Sequence, residues 1–151
     1  MKTLLIVYHT GGVKTAQMAE AVERGARGEE GVNVVVKRCA EAGPEDVLAA
    51  DALILGTPEN FGYMSGMMKD FLERVFYACE GKVNGRPYAL FVGAGQDGTG
   101  AVTSVERIVL GLRLRKVHDP IIGLKELTPE ILSSCEALGA ALAAGLAMGV
   151  F

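Results

Sequence analysis

The 151-residue sequence predicts an α/β fold: a three-layer sandwich around a five-stranded parallel sheet in the order 2-1-3-4-5. Three observations carry that expectation. Short apolar runs alternate with stretches of helical spacing along the whole chain. Glycine- and hydroxyl-rich loops follow the first, third and fourth of these runs. No repeat, low-complexity segment or linker interrupts the alternation, so residues 1–151 read as a single domain. Right-handed crossovers between parallel strands then place helices on both faces of the sheet.

Thr3 to Tyr8 is the first strand, an apolar run too short for the core of a signal peptide. It empties into His9-Thr10-Gly11-Gly12-Val13-Lys14-Thr15. Ala16, Met18, Ala19, Ala21 and Val22 then mark one face of a helix that ends near Gly28 or Gly31. Val32 to Lys37 is the second strand, Pro44 to Ala50 a short helix, and Ala52 to Leu55 a third, buried strand. Gly56 to Gly62 reads as a loop of turn residues with one exposed aromatic, Phe61. Met64, Met67, Met68, Phe71, Leu72 and Val75 follow at helical spacing, in a helix ending near Cys79.

Gly81 to Pro87 is a connector into the fourth strand, Tyr88 to Val92, which is followed by Gly93-Ala94-Gly95-Gln96-Asp97-Gly98-Thr99-Gly100. Val102, Val105, Ile108, Val109 and Leu112 mark a fourth helix, and Val117 to Ile122 a fifth strand. Thr128-Pro129-Glu130 caps the last helix, with proline at its first position. Ile131 to Val150 is long and apolar, but Ser133, Ser134 and Glu136 lie inside it and small residues dilute it. It reads as a buried or interface helix rather than a membrane span. Its alanine and glycine residues suit close packing on a second copy, as a homodimer or higher homo-oligomer.

Composition narrows the function. The net charge is −3 and the 15 basic residues are spread along the chain, which removes the electrostatic footprint of a nucleic-acid binder. Cys39, Cys79 and Cys135 are odd in number, far apart and without neighbouring histidines, so they read as reduced thiols of a cytoplasmic protein rather than disulfides or metal ligands. No serine–histidine–acid set, paired carboxylates or metal cluster can be assembled. Any chemistry is therefore expected to be a cofactor's.

The three loops show where such a cofactor would sit. In the order 2-1-3-4-5 they open at one carboxyl edge and meet at the switch point between strands one and three. The first has the make-up of a phosphate cradle, with glycines, hydroxyls, Lys14 and the positive end of a helix, although the Walker A spacing is absent. His9 stands beside it, placed either to touch a ligand or to face solvent. Gly93-x-Gly95-x-x-Gly98 has the form of a dinucleotide fingerprint, but it follows the fourth strand, and Asp119 falls near the start of the next strand rather than at its end. A flexible loop along a ring edge is the better reading. His118, alone near the amino end of the fifth strand, reads as structural.

The segment from Gly56 to Leu72, GTPENFGYMSGMMKDFL, resembles the GTPxxFGxMSGxMKxFLD segment of flavodoxin-like FMN proteins. The likeness is strongest to the NAD(P)H-dependent FMN reductase and NAD(P)H:quinone oxidoreductase branch. It extends over nearly the whole chain, since Thr10 to Thr15 stands where those proteins carry a TxTGxT phosphate loop, and Gly93 to Gly98 where they carry a third flavin loop. It implies a flavodoxin-like sandwich that binds FMN. Thr10, Gly12, Lys14 and Thr15 would hold the phosphate, with His9, Gly11 and Val13 in the same loop. Thr57, Pro58, Glu59, Asn60, Phe61, Gly62 and Tyr63 would cradle the isoalloxazine, with Phe61 against it. Gly93, Ala94, Gly95, Gln96, Asp97 and Gly98 would border the pyrimidine edge. Gly12 and Val13 depart from the TxTGxT pattern and leave fewer hydroxyls. The chain also lacks the longer insertions that many of the quinone reductases carry.

The resemblance implies electron transfer from NAD(P)H to a quinone or similar small acceptor. Two alternatives keep the fold: a flavodoxin-type carrier of single electrons, against which a net charge of −3 counts, and a module without cofactor.

Overall fold

The computed structural model describes the whole chain, Met1–Phe151. The elements in order are β1 (Lys2–Tyr8), α1 (Lys14–Ala26), β2 (Val32–Arg38), α2 (Pro44–Ala49), β3 (Ala52–Asn60), β4 (Tyr63–Met64) and α3 (Gly66–Cys79). β5 (Pro87–Ala94), α4 (Thr99–Gly111), β6 (Arg115–Lys116), β7 (Ile121–Leu124) and α5 (Pro129–Met148) follow. The main sheet runs β2-β1-β3-β5-β6, with β4 paired to β3 and β7 paired to β5. All pairs are parallel except β3–β4. This is the expected order, with β5 as the fourth strand and β6 and β7 together as the fifth.

Side chains of a strand alternate between its faces, so a sheet covered on both sides is apolar at every position and feeds two cores. Leu5, Val7, Leu53, Leu55, Leu90 and Val92 pack on one side with Val47 of α2, Phe71 and Val75 of α3 and Val105 of α4, in a buried cluster of 23 residues. Leu4, Ile6, Ile54, Ala89 and Phe91 pack on the other with Met18 and Val22 of α1 and Leu138 and Leu142 of α5, in a cluster of 18.

α1 and α5 approach closely because glycines remove side chains at their crossing. A Cβ on Gly25 would meet the Glu136 carbonyl, and one on Gly139 the Val22 carbonyl. Gly139, Ala143 and Gly145 of the last helix are thus engaged within the chain, while its Ala137, Ala140, Ala141 and Ala147 remain exposed. α5 has a mean hydropathy of 1.6 and is long and apolar enough to cross a membrane by length and composition. Here Cys135, Leu138, Leu142 and Leu146 are buried under the sheet.

Several boundaries differ from expectation, each for a local reason. β3 runs on through Thr57, Pro58, Glu59 and Asn60, and with β4 it forms a hairpin where a loop was expected. β5 takes in Gly93 and Ala94, and α4 starts at Thr99, so the third loop shrinks to residues 95–98. Lys14 and Thr15 form the first turn of α1 rather than its loop. The fifth strand is cut in two, because Pro120 has no N–H to give a ladder. His118 therefore lies between strands rather than in one, its Nδ1 2.8 Å from the Asp119 carbonyl oxygen.

Candidate functional site

The loops after β1, β3 and β5 meet through the strand register. Tyr8 pairs with Gly56, and Pro58 with Gly93. The His9 N–H donates to the Gly56 carbonyl at 3.0 Å. Thr15 is buried against Gly93, where a Cβ would lie 2.6 Å from the threonine Oγ1. Lys14 reaches across the edge, its Nζ donating to the Ala94 carbonyl at 2.5 Å. All three expected loops thus share one carboxyl edge.

The N-terminus of α1 is the bare point of that edge. Val13 holds the cap position and supplies no side-chain bond, and no acid lies in the first turn. α3 and α5, in contrast, are capped by Ser65 and Thr128. Unpaired N–H groups and the helix dipole there favour an anion. Gly11 and Gly12 are exposed and border open space. The side chains around them are less free than the sequence suggested. The Thr10 hydroxyl donates to the Gly12 carbonyl at 2.5 Å. Burial lowers the Lys14 pKa, and burial followed by the Arg38 charge lowers that of His9. Backbone N–H groups, more than hydroxyls, are what this loop presents.

The hairpin is anchored from below and behind. The buried Thr57 Oγ1 accepts from the Ser65 N–H at 3.0 Å, so its hydroxyl is tied inside the protein. Glu59 faces α4: its carboxylate accepts from the N–H groups of Gly98 at 2.9 Å and Ala101 at 3.1 Å, capping that helix from another element. The Met64 N–H donates to Ser104 Oγ at 3.0 Å. Gly100 lies so close to the hairpin that a Cβ there would meet the Gly62 carbonyl. Thr57 and Glu59, expected at the ring, have their side chains bonded into the wall behind the hairpin. Ser65, Ser104 and Gly100 were not singled out in the sequence, because their partners come from distant elements.

Phe61 is the exposed tip. Phe61 and Gly62 form the two-residue turn, with φ of 55° and 68°, and a hairpin turn of this kind favours Asn-Gly because both central residues need positive φ. Phenylalanine in the left-handed region costs roughly 1–2 kcal/mol. No burial offsets that cost, since Phe61 is 105% exposed. Tyr63 beside it is 44% exposed, and Asn60 and Pro58 complete the strand ends. Gly95, Gln96 and Asp97 are exposed on the facing loop, while Gly98 is buried with φ of 90°.

Volume is a poor guide to this site. A hollow of about 650 Å³ lies between α1 and α5, lined by Arg24, Gly28 and Glu136 at the end of α1 far from Lys14. Another of about 590 Å³ lies behind the hairpin, between Tyr63 and Arg107. Neither gathers the three loops.

A family model described as NADPH-dependent FMN reductase matches residues 17–124. The chain belongs to the NADPH-dependent FMN reductase family. Among relatives, it is 40% identical over 100 residues to a flavodoxin of Aquifex aeolicus, covering 66% of this chain and 54% of the relative. It is 32% identical over 126 residues to an NAD(P)H dehydrogenase (quinone) of Acidithiobacillus ferrooxidans, covering 70% and 63%. The chain thus spans little more than half to under two thirds of the length of these relatives. The structure of a flavodoxin from the domain Archaea superimposes with a TM-score of 0.84 at 21% identity, covering 95% of this chain and 98% of that one. The fold of this FMN reductase family member is therefore flavodoxin-like.

Proposed function

We propose that this chain binds FMN at the carboxyl edge of β1, β3 and β5 and passes electrons from NAD(P)H to a quinone or similar small acceptor. The observation that carries the proposal is Phe61: an aromatic side chain held in a strained turn, wholly exposed, at the edge where α1 leaves its N–H groups uncapped. Strain and exposure together are retained where a ligand uses them.

The residues present fit the cofactor. The N–H groups of Gly11 and of residues 13–15, with the dipole of α1, would hold the phosphate, the Gly12 N–H being turned to Thr10 Oγ1 at 3.3 Å. Phe61, with Pro58, Asn60 and Tyr63, would offer the ring a flat apolar wall, and the exposed backbone of residues 95–97 would border it. FMN when bound supplies the redox chemistry, and this chain positions and shields it. Burial raises the pKa of all three thiols, so no activated cysteine competes for that role. The family match and the quinone-reducing relative support NAD(P)H as donor and a quinone as acceptor. The flavodoxin relative supports a second reading, a carrier of electrons between proteins.

The test is an absorbance spectrum after incubation with FMN and desalting, followed by NADH and NADPH oxidation with and without a soluble quinone. Flavin retained in proportion to protein, with quinone-dependent turnover, is the expected result. Retained flavin without turnover favours the carrier. A colourless protein refutes FMN binding.

A further inference from the structure

The phosphate loop is short of positive charge. A phosphate monoester carries about −1.5 to −2 at neutral pH, whereas a helix N-terminus is equivalent to only about +0.5. Of the loop's side chains only Lys14 brings a full charge to that gap, and its ammonium already donates to a carbonyl. Thr10 is turned onto Gly12, Val13 has no polar group, Lys14 is drawn to the Ala94 carbonyl and Thr15 is buried against Gly93. His9 leans neutral.

A second cation stands beside this loop with donors to spare. Arg38 ends β2, in register with Tyr8, the last residue before the loop. Its guanidinium lies over the Tyr8 ring, 5.1 Å from the centroid, and Nη2 reaches the Thr10 carbonyl at 3.5 Å. Nε and Nη1 donate to no protein group. The nearby acid, Glu41, accepts from the Arg38 backbone N–H at 3.3 Å and leaves the guanidinium unpaired. A planar fork stacked on an aromatic ring and tethered to a loop carbonyl is held ready for a second acceptor, and phosphate oxygens match its geometry.

We propose that Arg38 is the residue by which this protein selects phosphorylated over unphosphorylated flavin. The proposal rests on the reading that flavin occupies this edge. Arg38 adds charge and a planar fork to what Lys14 and the helix end supply, so its effect belongs to the phosphate and not to the ring.

Titrations with FMN and with riboflavin, followed by quenching of flavin fluorescence, test this on the wild type, Arg38→Ala and Arg38→Lys at low and at physiological salt. Arg38→Ala is expected to weaken FMN binding by about ten-fold or more, to leave riboflavin within about two-fold, and to flatten the salt dependence of FMN binding. Arg38→Lys restores part of the preference, since ammonium keeps the charge without the fork. Equal losses for both flavins in Arg38→Ala would show that Arg38 only props Tyr8 and the loop, and an unchanged preference for FMN would likewise overturn the assignment. A wild type that binds neither flavin overturns the flavin reading itself, and the role of Arg38 with it.

Discussion

At Phe61 stability and binding pull in opposite directions. The residue holds a φ of 55° with its ring in solvent, so the free protein gains nothing from the side chain and bears the strain. Phe61→Gly is expected to raise the stability of the ligand-free protein by about 1 kcal/mol, read as a higher denaturant midpoint. The same change, like Phe61→Ala, is expected to weaken FMN binding by about 1–3 kcal/mol, the loss of an anchoring aromatic contact. Unchanged FMN affinity in both variants removes Phe61 from the site. The special status of this residue was half legible in the sequence. An aromatic among turn residues was visible, but its positive φ was not, because that comes from the register of the strands on either side.

The β3–β4 hairpin and α4 behave as one unit. Glu59 caps α4 across 39 residues of chain, and Gly100 lets the helix touch the hairpin backbone. Glu59→Gln keeps the shape but loses the charge-assisted part of the cap, and is expected to cost about 1–2 kcal/mol in denaturant unfolding. Gly100→Ala puts a methyl group into the Gly62 carbonyl. It is expected to destabilise by about 1–3 kcal/mol and to weaken FMN binding as the tip shifts; full stability in this variant would mean that the two elements are not coupled. From sequence, Thr57 to Asn60 reads as loop because Pro58 brings no N–H to a ladder. In the structure β3 beyond Pro58 pairs only with β4, so the proline sits where the main sheet ends. The alternation of strands and helices was plain because it needs only local periodicity. The fasteners at Ser65 and Ser104 and the placing of Arg38 beside the first loop were not, because each depends on a partner brought in by topology.

Across the whole molecule, the buried acids set an alkaline limit on stability. Burial pushes the Cys39 thiol up to about 12 and that of Cys135 to about 11, and it also raises the Tyr88 hydroxyl, whose oxygen has no protein partner. Folded-state values above the unfolded ones mean that the native chain keeps protons which the unfolded chain releases. The associated stability is complete below the ordinary thiol value of 9.0 and is lost as pH rises through 11 and 12. Lys14, lowered by burial, works weakly the other way. Denaturant midpoints are expected to hold from about pH 7 to 8.5 and to fall by about pH 10.5, with a shallower fall in Cys39→Ala/Cys135→Ala. An equal slope in that double variant would move the cause to other groups. The division of the last strand has a consequence of a different kind. An exposed sheet edge is a template on which another chain can build, and long edges invite fibres. Here the edge beside β5 comes in pieces of two and four residues, separated by Pro120 and headed by the exposed Arg115 and Lys116. A stray strand finds no run long enough to zip onto there, so the break that hid the fifth strand's true length also guards this edge of the sheet, and leaves the seven-residue β2 as the one continuous edge.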